Sequence, residues 1–414
     1  MDAIQNTDVL VLGGGAAGIA AAVASARKGL QVVLIERNSY LGGNATAAEV
    51  GTICGLYQFS KKEKSEYIVK GFAKEFAESL QNKSNTETLH NAEGLHYLPY
   101  DIEAFKSVSL GLLKETEVNI YFNSVLKNVN TENGKINSVS VIAGGIPVTI
   151  GLKSIVDGSG DSIISRAAGL PLITTENYQA AAQVFTMQNV SEENEARLGM
   201  ILMKALRSAI DEGILADFYD RVYIVQGSLK NNCVSLKIGI PLSVTYAPGN
   251  LLELKTVAHS FVENLSQFLI NNVSLFKNAV VQHIAPEVGT RTGQRNMGNY
   301  LLTEEDVLQC KKFDDAIANG SWPIEEWEQH RRVKMRYFKL EGHYQIPAGC
   351  LQSGSIENLF FAGRNISATD SAIASARVMG ICLQTGYAAG CLAASSALQI
   401  SLPEAIKSIQ TDQL

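Results

Sequence analysis

The sequence has 414 residues, 46% hydrophobic and 18% charged, with a net charge of −6 and a pI near 5.7. That length supports two or three domains with an ample core, the composition excludes a disordered or fibrous chain, and the acidic balance excludes a general nucleic-acid partner. The six cysteines (Cys54, Cys233, Cys310, Cys350, Cys382, Cys391) contain no C-x-x-C pair, which excludes a dithiol reductase site and zinc spacing and fits a reducing, cytoplasmic compartment.

Asp8 to Leu12 reads as a buried strand, and Gly13-Gly14-Gly15-Ala16-Ala17-Gly18 as a glycine turn. A small-residue helix follows from Ala16 to Lys28, then a second strand from Gln31 to Ile35. Glu36 stands eighteen residues past the last glycine of the turn. This is the layout of a dinucleotide-binding βαβ unit. The glycines let a pyrophosphate approach bare backbone, the helix N-terminus offers it unpaired N–H groups, and Glu36 can accept both hydroxyls of a ribose.

A loop, Arg37 to Thr46, then carries Gly42-Gly43-Asn44. Ile68, Phe72, Phe76 and Leu80 give Glu66 to Lys83 a helical period, and Asp101 is a good N-cap for a helix reaching Glu115. The polar stretch Asn82 to Asn91 reads as a flexible loop. Val118 to Phe122 is a strand. Val125 to Val129, Ile136 to Ile142 and Pro147 to Ile150 form a meander turning at Asn133-Gly134 and Gly144-Gly145. A further strand, Lys153 to Val156, ends in Asp157-Gly158-Ser159-Gly160-Asp161. Between 170 and 342 the sequence mixes types, with a helix at Leu251 to Asn271 and extended runs at Val222 to Val225, Val234 to Ile240 and Ala279 to His283. The chain returns to nucleotide-domain style with a strand at Asn358 to Ala362, Gly363-Arg364, and one long helix from Ser371 to Leu398. The apolar stretches Val9 to Ile35 and Val378 to Ile400 read as core rather than as an export signal or membrane span.

Several of these motifs together resemble FAD-dependent oxidoreductases of the glutathione-reductase-like fold, distantly similar to fumarate reductase flavoproteins. They are Gly13 to Gly18 with Glu36, Tyr40 to Thr46, Val156 to Asp161, Arg291-Thr292-Gly293-Gln294-Arg295, Tyr344-Gln345-Ile346-Pro347, and Asn358 to Arg364. The resemblance implies an α/β fold: a Rossmann-like FAD-binding domain with a central parallel sheet and β-meander, built from 1–169 and 343–414, with an α+β substrate domain at 170–342. It implies that Gly13, Gly15, Ala16 and Ala17 line the pyrophosphate, Glu36 holds the ribose and Arg37 covers the adenine side. Gly42, Gly43, Asn44 and Ala45 would thread past the phosphate and flavin, with Val125 against adenine. Gly158 and Asp161 would approach the adenosine end, Gly363 and Arg364 the ribityl chain, and the backbone at Val378 and Met379 the pyrimidine edge. Where many relatives carry Asp after the third-motif glycine, this chain has Arg364. The loop also lacks the His that attaches flavin covalently in fumarate-reductase-like subunits, Tyr40 lying near that place. Non-covalent FAD is therefore expected, with a thioether through Cys54 as the alternative.

The expected activity is two-electron, hydride-type oxidation or reduction of a small organic substrate at flavin N5. Oxygen, a quinone or another acceptor stays open as the redox partner, as does a homo-oligomer. Arg291 and Arg295 either anchor a substrate carboxylate bidentately or pair with Glu304, Glu305 or Asp306. His343 and Tyr344 are candidates to move a proton beside the reacting carbon, against plain structural roles. Arg364 and Arg377, or the start or a kink of the helix from Ser371, would stabilise a reduced anionic ring, against pairing with phosphate or surface acids. Cys54 is a weaker candidate for flavin contact against a plain buried role, Tyr57 a weaker candidate for the substrate-pocket wall, and Trp322 and Trp327 read as packing anchors. The rival readings are a nicotinamide dehydrogenase and a flavin-binding subunit without catalysis.

Overall fold

The computed structural model describes residues 5–175, 178–245, 247–328 and 333–414. β1 (Gln5–Leu12), α1 (Ala16–Arg27) and β2 (Val32–Ile35) form the opening unit, the strands parallel with Val9 opposite Val32. β1 and β2 are covered on both faces, which is why they read as unbroken apolar runs. β3 (Asn119–Tyr121) extends the sheet beyond β2. β4 (Ser124–Glu132), β5 (Lys135–Ala143) and β6 (Ile146–Asp157) form the meander. The two strands expected at 147–150 and 153–156 are in fact one, the twelve-residue β6. Its first half pairs antiparallel with β5, while Ile150 to Asp157 runs parallel to β1. One strand thus welds meander to parallel sheet.

A separate four-stranded sheet has the order β8-β9-β7-β10, from β7 (Ala182–Gln188), β8 (Val222–Ile224), β9 (Cys233–Gly239) and β10 (Val280–Ile284). Side chains alternate along β9: Val234, Leu236 and Ile238 enter a core with Leu198 and Leu202 of the helix Glu195–Asp211 and Leu265 and Leu269 of the helix Asn250–Asn272. Lys237 belongs to the alternate set. Leu302, Val307, Ile317, Ile324 and Phe338 pack instead in the larger core, with β1 and the C-terminal elements.

β11 (Leu359–Phe361) adds parallel to β6, completing a seven-stranded sheet. The single helix expected from Ser371 to Leu398 is two: α2 (Asp370–Ala376) and α3 (Met379–Leu398). Between them Val378 is extended, with φ −68° and ψ 150°. The loop at Gly55 crosses here, so close that a Cβ on Gly380 would lie 2.6 Å from the Gly55 carbonyl carbon. α3 is long and apolar enough to cross a bilayer, but 78% of its apolar window is buried inside the protein. Its small residues meet those of α1: Ser25 Oγ donates to the Gly390 carbonyl at 3.0 Å. Asp101 caps the helix Ile102–Glu115 by accepting the Ala104 N–H at 2.8 Å. The stretch expected as a loop at 82–91 holds a helix end at Ser84 and a short strand, Leu89–His90.

Candidate functional site: a glycine-walled groove ending in buried cations

The glycine turn after β1 sits back to back with the glycine turn after β6. Gly13 has φ +97°, and a Cβ there would lie 2.7 Å from the Gly158 carbonyl oxygen. On the other side a Cβ on Gly43 would lie 3.1 Å from the Gly15 Cα. No side chain caps α1 at Gly15, so its first-turn N–H groups remain for a ligand. At the end of β2 the Glu36 carboxylate accepts the Gly14 N–H at 2.7 Å and the Asn38 N–H at 2.8 Å. Burial pushes its carboxyl up, and these donors pull the other way.

Every cofactor-contact residue expected from sequence except Val378 lines one groove with this turn. Val378, the buried N-cap of α3, is not part of the lining, while Met379 is. Arg364 bridges the groove: it donates to Asp161 at 3.2 Å and to the Thr290 carbonyl and hydroxyl at 3.0 and 2.9 Å. Asn44 also donates to the Thr290 carbonyl, at 2.9 Å. Asp157, which sequence reasoning passed over, ties two motifs together. It accepts the Ser159 and Ile164 N–H groups at 3.0 and 2.9 Å and the Asn365 amide at 3.0 Å.

At the α2–α3 break, Arg377 lines the same groove. It donates to the Gln179 side chain at 3.3 Å and the Glu325 carbonyl at 3.2 Å, leaving Nε buried and unpartnered. Both carboxylate oxygens of Glu325 are held by indoles, Trp327 at 2.7 Å and Trp322 at 2.9 Å. Burial pushes Glu325 up, but Arg377, the Trp322 N–H and Lys237 outweigh it, holding the acid below its usual range. Arg291 donates to the Ala180 carbonyl, its guanidinium 4.1 Å from the Trp327 ring centre. Lys237 Nζ lies 5.1 Å from the same ring. All three cations are half-buried, and Arg377 among them lines the groove. Burial and Arg291 push Lys237 down to about 8, while burial and Arg377 push Arg291 down to about 9, still protonated at neutral pH.

The other candidates lie elsewhere. Arg291 makes none of the acid pairs considered for it; Glu304 pairs with Arg336 and Asp306 with Lys311. Arg295 is 1% exposed and spends its guanidinium on the Ala368 and Gly293 carbonyls and Asp370. Tyr344 is fully buried, its hydroxyl 2.7 Å from Ser375 Oγ under α2. His343 is outside the groove lining, and burial beside Lys312 pushes it down to about 4. Tyr57 is buried, accepting from Thr88 at 2.9 Å. Burial and Glu325 push the Cys54 thiol up to about 12, leaving it protonated and a poor nucleophile. Trp327, expected only to pack, carries two cations on its ring. Lys237, Glu325, Gln179 and Thr290 join the site without a local signal in the sequence, since the alternation along β9 alone puts Lys237 on a solvent face.

The family model described as FAD dependent oxidoreductase matches residues 8–413. The chain belongs to that family. Its cofactor is FAD, and the groove suits it: glycine walls admit the backbone-hugging pyrophosphate, an uncapped helix end faces it, and a carboxylate waits at ribose distance in sequence. Among solved structures the enzyme is similar to the anhydrotetracycline hydroxylase OxyS of Streptomyces rimosus, with a TM-score of 0.51 and 10% identity over 98% of this chain and 65% of that one. It is also similar to a geranylgeranyl bacteriochlorophyll reductase-like protein of Thermoplasma acidophilum, with a TM-score of 0.49 and 14% identity over 99% and 83%. The first of these likenesses speaks to fold alone. A search of curated proteins found no match.

Proposed function

We propose that this oxidoreductase carries out two-electron, hydride-type chemistry on a small organic substrate bearing a carboxylate, in the cavity where the groove ends. FAD supplies the two-electron centre, at N5. The observation that carries the reading is Arg377, which lines the cofactor groove and also enters the cation cluster with Arg291 and Glu325. In this reading Gly13, Gly15, Ala16 and Ala17 hold the pyrophosphate, Glu36 the ribose, and Arg364 with Asp161 closes the groove. Arg291 orients the substrate, and Arg377 with the first turn of α3 stabilises negative charge at the groove's end. The high Cys54 thiol favours non-covalent FAD. The two chain ends form the cofactor domain, and the segment carrying the second core bears the substrate wall with Lys237.

The test is anaerobic titration of the FAD-loaded enzyme with small amines, hydroxy acids and enoates, following flavin bleaching for oxidation and its reversal for reduction. A responsive acid is expected, with the rate falling roughly tenfold or more in Arg291→Lys at unchanged FAD content, because an ammonium cannot replace the planar fork. An unchanged rate removes Arg291 from the site. No redox response to any compound would favour a flavin-binding subunit without catalysis.

A further inference from the structure

Beside the end of the groove, where Arg377 lines it, Lys237, Arg291 and Arg377 gather around Glu325, the one carboxylate acting on all three among the described residues. Glu325 accepts two indole N–H groups, and its side chain makes no close ion pair with any of the three. Lys237 is the unexpected member. It comes from the four-stranded sheet, opposite Tyr223 on β8 and Val184 on β7. Among the described residues its ammonium has ring contacts with Tyr223 and Trp327 but no hydrogen bond or ion pair. An ammonium carries three donors, and enclosing one with donors unmet is costly unless a partner arrives. Arg377 Nε is fully buried and without a partner, whereas Lys237 keeps some accessible surface.

We infer that Lys237 is a substrate-binding residue, and that it and Arg291, both in contact with the Trp327 ring, together receive the carboxylate of a small organic acid. The inference rests on the proposed substrate cavity and adds its second anchor. Arg291 supplies a fixed fork and Lys237 a movable point charge, while Trp327 gives the carbon skeleton a flat apolar wall. Lys237 is also the member that changes charge near neutrality. Facing it are Arg291 and Arg377, which disfavour its proton, and Glu325 and Cys54, which favour it, with Tyr223 alongside. A bound carboxylate raises its proton affinity, so an acid binds best below about pH 8 and takes up a proton on binding only above it.

The chain's two tryptophans are Trp322 and Trp327, and both donate to Glu325. Intrinsic fluorescence therefore reads this cavity without turnover. The FAD-loaded enzyme is titrated with propionate, succinate and the neutral propionamide, following indole emission and the flavin spectrum. The expected result is a saturable response to both acids and none to the amide, weakening about tenfold or more between about pH 7 and about pH 10. Lys237→Met should weaken acid binding about tenfold at neutral pH and remove the step near pH 8, leaving the fall near pH 9 that belongs to Arg291. Lys237→Arg should restore binding without the step near pH 8, and far-ultraviolet circular dichroism with FAD content checks folding. The inference is overturned if propionamide binds as tightly as propionate, if Lys237→Met keeps the wild-type profile, or if no acid gives a saturable response. Acid binding without flavin reduction would sink the redox reading and leave this one standing; reduction by neutral compounds, unaltered in Lys237→Met, would do the reverse.

Discussion

Gly386 and Gly390 offer a test of how far cofactor affinity depends on one helix crossing. A Cβ on Gly386 would lie 2.7 Å from the Ala17 Cα and one on Gly390 2.8 Å from the Ala21 Cα, each nearer still to the carbonyl oxygen beside it. Ordinary contact needs about 3.4 Å or more, so each alanine must drive α3 and α1 apart by the better part of an ångström. Overpacking of this kind costs about 1–3 kcal/mol, partly offset by the 0.5–1 kcal/mol, roughly, that alanine gains over glycine inside a helix. Both variants should therefore lose stability, by up to about 2.5 kcal/mol. Their effects on FAD should differ. Ala17 lies in the first turn of α1 and lines the groove, whereas Ala21 lies one turn further on and does not. Displacing a charge-assisted backbone donor costs about 1.5–3 kcal/mol, or roughly 10- to 150-fold in Kd. Thermal melts of the cofactor-free protein and FAD titrations of both variants separate the two effects. The reasoning fails if Gly386→Ala binds FAD like wild type, or if Gly390→Ala loses as much affinity as Gly386→Ala.

Glu36→Ala removes the acceptor of the Gly14 and Asn38 N–H groups and should weaken FAD retention by roughly 1.5–3 kcal/mol; undiminished retention in ultrafiltration would show that Glu36 does not hold the ribose. Tyr344→Phe should cost about 0.5–1.5 kcal/mol by breaking the bond to Ser375, with flavin reduction by substrate at the wild-type rate; a slowed reduction would return Tyr344 to the reacting centre. Lys237 is held at about 8, below its unfolded value of about 10.4. Its burial therefore costs stability fully below about pH 8, and that cost fades as pH rises toward the unfolded value. Lys237→Met should accordingly melt higher than wild type near neutrality, by up to about 3 kcal/mol in stability, with the gap closing between about pH 8 and about pH 10.5. A gap independent of pH would mean the ammonium is not destabilising.

The groove was legible because backbone geometry dictates residue type there. Only glycine suits Gly13 at φ +97° with Gly158 behind it, or Gly43 against the Gly15 Cα. Such constraints leave a mark in sequence wherever the loops later meet. The cavity left none. Lys237, between Leu236 and Ile238, reads as the wet face of an alternating strand until something covers that face. Arg291 and Arg295 lie four residues apart in one polar run, and nothing local says which guanidinium will be consumed by carbonyls and which will lie over an indole. The break in the C-terminal helix was hidden as well, because its cause is the Gly55 loop crossing from more than three hundred residues upstream. The fused strand β6 escaped for a related reason: Gly151 looks like punctuation, yet it pairs normally with Ser138 and Asn6.

The seam between α1 and α3 has a consequence for biosynthesis. Ser25 bonds to Gly390 across 365 positions, and translation proceeds at about 5–20 residues per second. Roughly 20–70 s must separate the appearance of the first glycine turn on the ribosome from the arrival of its C-terminal wall. Throughout that interval the alanine face of α1 has no mate. Flavin capture is therefore a late event in the life of this polypeptide, and truncation before the last helices would leave a chain that cannot turn yellow.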